Sequence, residues 1–316
     1  MIKNEKELVK KIEGCKSCLQ DKFSGKNGKR SIIICGGTGC ISSNSLDILA
    51  KFEALIKEKN VEDKVSVNKV GCFGFCSQGP FVKIFPEDTL YRTVAVEDVE
   101  EIFEKDILGG EIVERLLYVD PVSGEKVQKQ EDITFYKKQD RVALHGCGTI
   151  NPEDINEALG DGAYEGLLKV LSMSQQEVID EILKSGLRGR GGGGFPTGRK
   201  WQFALNSKSD VKYVVCNGDE GDPGAFMDRS ILEGNPLAVI EGMVIAGYAI
   251  GAQNGYFYVR AEYPIAVERL RGAIKQAKEI GLLGKNILGT DFSFDVHIRL
   301  GAGAFVCGEE TALLNS

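Results

Sequence analysis

Apolar and polar positions follow one another along residues 28–110 in blocks that predict a compact α/β unit. The β-branched run "SIIIC" (31–35) reads as a buried strand. In "NSLDILAKFEALIKEKN", Leu46, Leu49, Phe52, Leu55 and Ile56 recur at helical spacing with charges between them. "KVSVNKV" (64–70) alternates as a strand does, "FVKIF" and "LYRTV" suit a hairpin, and "VEDVEEIFEKDIL" predicts a helix stopped by Gly109 and Gly110. Residues 111–150 are less regular. "YVDPVSGEKVQ" predicts a turn between two short extended pieces, and the stretch as a whole is expected to be a connector lying on the domain that follows.

From residue 151 the pattern turns helical, with "AYEGLLKVLS" and then "SQQEVIDEILKSG", which opens on Ser174 and Glu177 in capping-box register and ends at Gly186. Strands "KYVVCN" (212–217), "GYFYVRA" and "FSFDVHIRL" then alternate with an apolar helix, "NPLAVIEGMVIAGYAIGA", and an amphipathic one that starts at Pro264. Such alternation implies an α/β layer with its loops gathered at the strand ends. The expected division is an N-terminal segment 1–27, a first domain 28–110, a connector 111–150 and a second domain 151–316. "TALLNS" starts a helix that residue 316 cuts short, so the chain is expected to be a fragment of a longer one, truncated in its second domain.

A net charge of −7 weighs against nucleic acid as a main partner. The N-terminus "MIKNEKELVKKIEG" has no apolar core of a signal peptide, and the most apolar window (236–252) is short and contains Glu241. A cytoplasmic protein without a membrane span is the expectation. In a reducing compartment, nine cysteines point to metal or redox chemistry more than to disulfides.

Cys35 and Cys40 ("CGGTGC") and Cys72 and Cys76 ("CFGFC") lie in glycine-rich loops after predicted strands. Four thiolates suit a [2Fe–2S] cluster, two to each iron; zinc and four unrelated buried thiols are the alternatives. Cys15 and Cys18 form a C-x2-C that binds zinc, is redox-active or does nothing, and His145 and Cys147 would complete a zinc set if the connector folds back. Cys216 and Cys307 read as small packing residues.

Three further loops carry chemistry. "SGLRGRGGGGFPTGRKW" (185–201) contains G-x-G-x-x-G, yet it follows a helix where a dinucleotide loop follows a strand, and Phe195, Trp201 and Phe203 make it a poor linker. Glycines for close approach, cations for phosphate and aromatics for stacking suit a nucleotide or flavin. "CNGDEGDPGAFMDR" (216–229) offers carboxylates that accept sugar hydroxyls, bind a cation or simply face water. "GAGAFVCGEETALL" is no P-loop, and its Glu309 and Glu310 also suit a helix N-terminus.

The C-x4-C…C-x3-C spacing on this strand order is similar to that of the thioredoxin-like [2Fe–2S] ferredoxins. The three loops, in order over roughly residues 150–316, resemble the flavin and NADH loops of the 51-kDa flavoprotein subunit of respiratory complex I. The whole chain resembles the beta subunit of multimeric NAD(P)-linked [FeFe] hydrogenases, including electron-bifurcating ones; the diaphorase subunit of NAD-dependent formate dehydrogenases has a similar build. The fold this implies is an N-terminal thioredoxin-like [2Fe–2S] ferredoxin domain followed by a 51-kDa-type FMN/NADH-binding α/β domain.

The resemblance implies that Gly189, Arg190, Gly191, Gly192 and Lys200 line FMN, with Lys200 near its phosphate and ribityl chain. Phe195 and Phe203 would stack on the NADH adenine side, and Asn217, Asp219 and Glu220 would meet the isoalloxazine and ribityl groups. Gly308, Glu309 and Glu310 would face flavin and nicotinamide ribose. Asp222 stands where many members have Glu, and Phe305 where many have Tyr, so the bond of that Tyr hydroxyl is not made here. It further implies hydride exchange between NAD(H) or NADP(H) and FMN, with single electrons passed to clusters. A [4Fe–4S] cluster is expected beyond residue 316. The implied partners are a small thioredoxin-like [2Fe–2S] subunit, a catalytic iron–sulfur subunit and ferredoxin. Hydride transfer needs no side-chain acid or base, so no catalytic side chain is expected. The competing class is an iron–sulfur electron-transfer module with no catalysis of its own.

Overall fold

The run at 31–35 forms strand β1 (Arg30–Cys35), and in the computed structural model Ile32 and Ile34 enter one core while Ile33 and Cys35 enter another. Burial on both faces is why the strand reads as continuous hydrophobe rather than alternation. The structure describes residues 1–26 and 28–316, so the boundary expected at residue 27 falls outside the described residues. The chain divides into two compact units: Gly14–Asp161 with Glu233–Asn235, and Met1–Glu13 with Gly162–Leu232 and Pro236–Ser316.

In the first of these, β2 (Val65–Val70) pairs parallel to β1, while β3 (Val82–Phe85) and β4 (Thr89–Tyr91) complete an antiparallel hairpin, in the order β2-β1-β3-β4. The helix Ser45–Glu58 covers one face through Ile48, Phe52, Leu55 and Ile56. Leu46, expected on that face, is 42% exposed, and Ile48 takes its place. The helix at 98–108 begins as Asp98–Glu101 and continues with π-type bonding as Ile102–Leu108, adding Val99, Ile102 and Phe103 to the same core. The stretch expected as a connector forms the hairpin β5 (Tyr118–Val119) and β6 (Lys126–Val127) around the anticipated turn. Its Tyr118, Ile133 and Tyr136 pack on the second face of this sheet with Ile33, Phe73 and Phe81. It therefore packs as part of the unit that holds the four-stranded sheet.

The other unit is built on a parallel sheet, β7 (Tyr213–Gly218), β8 (Asn254–Arg260) and β9 (Asp295–Gly301), in that order. The crossover helices are Pro236–Ile250 and Pro264–Ile280. Pro236–Ile250 is apolar nearly all round because it packs on β7, β8 and four helices. The capping box at Ser174 and Glu177 is formed, and Gly186 ends the helix Gln175–Ser185 in the left-handed region at φ 70°. The N-terminal helix Glu5–Ser24 was not anticipated, although its buried stripe of Leu8, Ile12, Cys15 and Leu19 has helical period. No helix among the described residues is long and apolar enough to cross a membrane.

Glu241, which interrupts the apolar window, accepts hydrogen bonds from the backbone N–H groups of Tyr164 (2.7 Å) and Leu167 (3.0 Å) at the start of the helix Glu165–Leu171. Burial pushes its carboxyl up, and these N–H groups pull it back. Glu241→Ala leaves the donors unpaired and is expected to lower unfolding free energy by about 2 kcal/mol. A urea titration reads this as a lower midpoint at unchanged slope, and an unshifted midpoint refutes the capping role.

Candidate cluster and flavin sites

Parallel pairing of β1 with β2 puts Cys35 in register with Val70, so the two cysteine loops leave the sheet side by side. The first loop turns into the short helix Thr38–Ile41, which carries Cys40; the second runs through Cys72 into the turn Cys76–Gln78. The Cys72 and Cys76 sulfurs are 3.7 Å apart, and Cys35 reaches both Cys40 and Cys72 through its thiol. The glycines are required by close approach. A Cβ on Gly79 would stand 2.6 Å from the Cys40 sulfur, and one on Gly37 would stand 2.9 Å from the Cys72 Cβ. Gly74 N–H donates to the Cys72 sulfur at 3.3 Å.

Hydrogen bonds with Cys40 and Cys72, together with burial, push the Cys35 thiol well up, whereas its bond to Cys35 lowers Cys40. Among the described residues, no three His, Cys, Asp or Glu gather to hold a metal ion. The four thiols form a row of sulfur contacts, the donor set of a binuclear cluster in which each iron takes only two protein ligands. The site fits [2Fe–2S], with Cys35, Cys40 and Cys72 buried and Cys76 at the exposed edge.

The zinc set does not assemble. Cys15 is buried with its sulfur 3.9 Å from the Asn156 Oδ1, Cys18 is exposed, His145 faces Asp161 at 3.4 Å, and Cys147 packs where Gly234 leaves room. Cys307 packs with Tyr258 and Leu313, and burial pushes the Cys216 thiol up to about 12.

In the unit with the parallel sheet, the glycine loop runs between two helices, Gln175–Ser185 and Thr197–Asn206. Its neck is closed by Gly189 N–H to Phe195 O (2.9 Å), Thr197 N–H to Leu187 O (2.9 Å) and Arg188 Nε to Gly194 O (2.5 Å). Arg190 and Gly191–Gly193 are exposed, and nothing stands within 4 Å of a Cβ built on those three glycines, so the tip is an open backbone surface. The Phe195 and Phe203 rings lie 6.4 Å apart and are both exposed, which suits stacking on a flat ligand.

The third loop touches both others. Lys200 Nζ pairs with Glu310 Oε2 at 3.3 Å, and Asn217 Nδ2 donates to Gly308 O at 2.8 Å. The Lys200–Glu310 pair is solvent-exposed and therefore weakly held. Asp219 is buried, its Oδ2 has no hydrogen-bond partner, and burial pushes its carboxyl up against the opposing pull of Arg260. An orphaned buried acceptor on the second loop, an open glycine surface and an exposed cation on the first, and a third loop in contact with both fit a ligand that brings hydroxyl or N–H donors and a phosphate, which is the make-up of FMN.

Two carboxylates have structural duties. Glu220 accepts the N–H groups of Met227, Asp228 and Arg229, and so caps the helix Met227–Gly234. Glu309 accepts those of Thr311 and Ala312 and caps Glu310–Asn315. The second was legible as a helix-start carboxylate; the first was not, because six residues of loop separate the acid from the first N–H it caps. Phe305 is 65% exposed, and its ring abuts Gly221, where a Cβ would come to 2.9 Å. Arg260 Nη1 (2.6 Å) and Tyr263 Oη (3.3 Å) donate to the Glu220 carbonyl and hold the acidic loop; neither was singled out from sequence because both lie on and after β8.

Together these features define a two-module iron–sulfur flavoprotein. Residues 21–106 match the family described as thioredoxin-like [2Fe–2S] ferredoxin, and residues 182–316 match the Nuo51 FMN-binding domain. The chain thus joins a [2Fe–2S] ferredoxin domain to an FMN-binding domain of the complex I 51-kDa type. It is 59% identical over 183 residues to the NADP-reducing hydrogenase subunit HndC of Solidesulfovibrio fructosivorans, covering 58% of this chain and 37% of that protein. It is 53% identical over 162 residues to an NADH-quinone oxidoreductase subunit of Aquifex aeolicus (strain VF5), covering 51% of this chain and 38% of that protein. A crystal structure of NAD+-reducing [NiFe]-hydrogenase in the air-oxidized state aligns with 96% of this chain and 48% of its own, at 22% identity and a TM-score of 0.44. The chain spans less than two-fifths of the length of the two curated relatives.

Proposed function

We propose that this chain is the NAD(P)H-handling flavoprotein module of a multisubunit, hydrogenase-type oxidoreductase of the cytoplasm. The observation that carries this reading is the joining, in one chain, of four converging thiols to a cradle with an orphaned buried carboxylate. When bound, FMN takes electrons in pairs as hydride and releases them singly, and a [2Fe–2S] cluster carries one at a time. The side chains bind and orient. Cys35, Cys40, Cys72 and Cys76 ligate the cluster, and Gly189, Arg190, Gly191 and Gly192 present backbone to FMN. Lys200 takes its phosphate, Asn217, Asp219 and Glu220 meet its ring and ribityl groups, and Phe195 and Phe203 hold the adenine side of the dinucleotide. Gly308, Glu309 and Glu310 close the nicotinamide end. The working boundaries are 28–110 for the ferredoxin domain, 111–150 for the segment that follows it and 151–316 for the flavin domain. The partners are a small [2Fe–2S] subunit and a catalytic iron–sulfur subunit.

Full-length polypeptide reconstituted with iron, sulfide and FMN is expected to bind flavin and to reduce a viologen dye with NADH or NADPH. Bound iron without flavin or any nicotinamide response would instead establish a pure electron-transfer module.

A further inference from the structure

Arg141 follows the helix Thr134–Lys137 and reaches the loop between Cys72 and Cys76. Its Nη2 lies 3.4 Å from where a Cβ on Gly74 would stand, and its guanidinium carbon is 5.9 Å from the Tyr136 ring centroid. Tyr136 is buried on the sheet face that carries Cys35 and Cys40, and its hydroxyl donates to Phe73 O at 3.0 Å. Tyr136 thus touches both the guanidinium and the residue that follows Cys72. Arg141 Nε and Nη2 are nevertheless buried with no hydrogen-bond partner. A guanidinium is never deprotonated in a protein, so these donors persist and call for an acceptor. The loop that Arg141 reaches carries the Cys72 and Cys76 sulfurs on either side of Gly74.

We propose that Arg141 donates to the sulfurs of the [2Fe–2S] cluster and that its charge raises the cluster's reduction potential. The inference rests on reading the four cysteines as cluster ligands. One-electron reduction adds one negative charge to the cluster, and a fixed cation with N–H donors favours that reduced form. Arg141 is a positioning residue, since it acts on the potential and not on substrate.

The test uses full-length reconstituted polypeptide in an EPR-monitored redox titration. Arg141→Met keeps the apolar stem, and Arg141→Lys keeps the charge without the fork. With iron and labile sulfide at wild-type levels, the Met variant is expected to shift the oxidised-to-reduced ratio about tenfold toward oxidised, a midpoint lower by 59 mV for a one-electron couple. The Lys variant should fall between the two. In wild-type protein carrying guanidinium-15N arginine, pulsed EPR of the reduced cluster should show a 15N coupling that Arg141→Lys removes. An unchanged midpoint in a fully loaded Met variant overturns the proposal. If the Met variant fails to hold a cluster, the wild-type coupling decides, and its absence is equally fatal. Wild-type protein that takes up no iron sinks the cluster reading itself, a result distinct from failure of Arg141.

Discussion

Cys35→Ser is expected to yield a chain that folds and still binds FMN but has lost its bound [2Fe–2S] cluster. Cys35 ends β1, is 1% exposed, and touches the thiols of both Cys40 and Cys72. It is the link between the two loops, so its loss leaves one iron with a single thiolate from this set. Serine is nearly isosteric, and Cys35 is part of a core shared with Ile33, Phe73 and Phe81, so the sheet should survive. Iron and labile-sulfide assays, the visible absorbance of the cluster and far-UV circular dichroism together check this. A Cys35→Ser protein with wild-type iron content would remove Cys35 from the ligand set, whereas a parallel Cys18→Ser control, exposed and outside the row, should lose none.

Asp219→Asn is expected to weaken FMN binding by roughly ten- to a hundredfold, the size of a lost hydrogen bond to a charged acceptor. Asn keeps the shape but halves the acceptor capacity of a group whose Oδ2 is buried and unpartnered. The apo chain should respond in the opposite direction. Burial raises the Asp219 pKa above its unfolded value, so the folded state holds the proton more tightly. Stability contributed by the protonated carboxyl is therefore present at low pH and lost as pH rises from the unfolded toward the folded pKa. Asn has no such loss, and at neutral pH apo Asp219→Asn should melt no lower than the parent. Flavin fluorescence quenching gives the affinity and thermal melts give the stability. Unchanged FMN affinity removes Asp219 from the flavin site, and a large drop in melting temperature makes it a packing residue. The opposed signs are what is expected where a binding group is held at the fold's expense.

Legibility of the fold followed the range of the interactions. The capping box at Ser174 and Glu177 is local, and it formed as its spacing required. The period of the helix at 45–58 is plain in its sequence, but Ile48 and not Leu46 lies on its buried face, because a helix's phase is set by its neighbour and not by its own period. In the stretch 111–150, Tyr118, Ile133 and Tyr136 become core only against a sheet whose second face is not marked in their own sequence. Glu220 caps the helix Met227–Gly234, a relation across a loop that spacing rules do not cover.

What the amino-acid sequence determined by itself is the inventory: two cysteine pairs at the ends of strands, three glycine and acidic loops in a fixed order, and the elements that carry them. These follow from local propensity and from residue types that bring their chemistry wherever they stand. Only the tertiary structure decided which members meet. Parallel pairing of β1 with β2 brings the two cysteine loops to one edge, the third loop contacts both others, and Asp219 and Arg141 are left with buried groups unpaired. An unpaired buried group is a statement about everything packed around it, and that depends on long-range contacts which no short window of sequence contains.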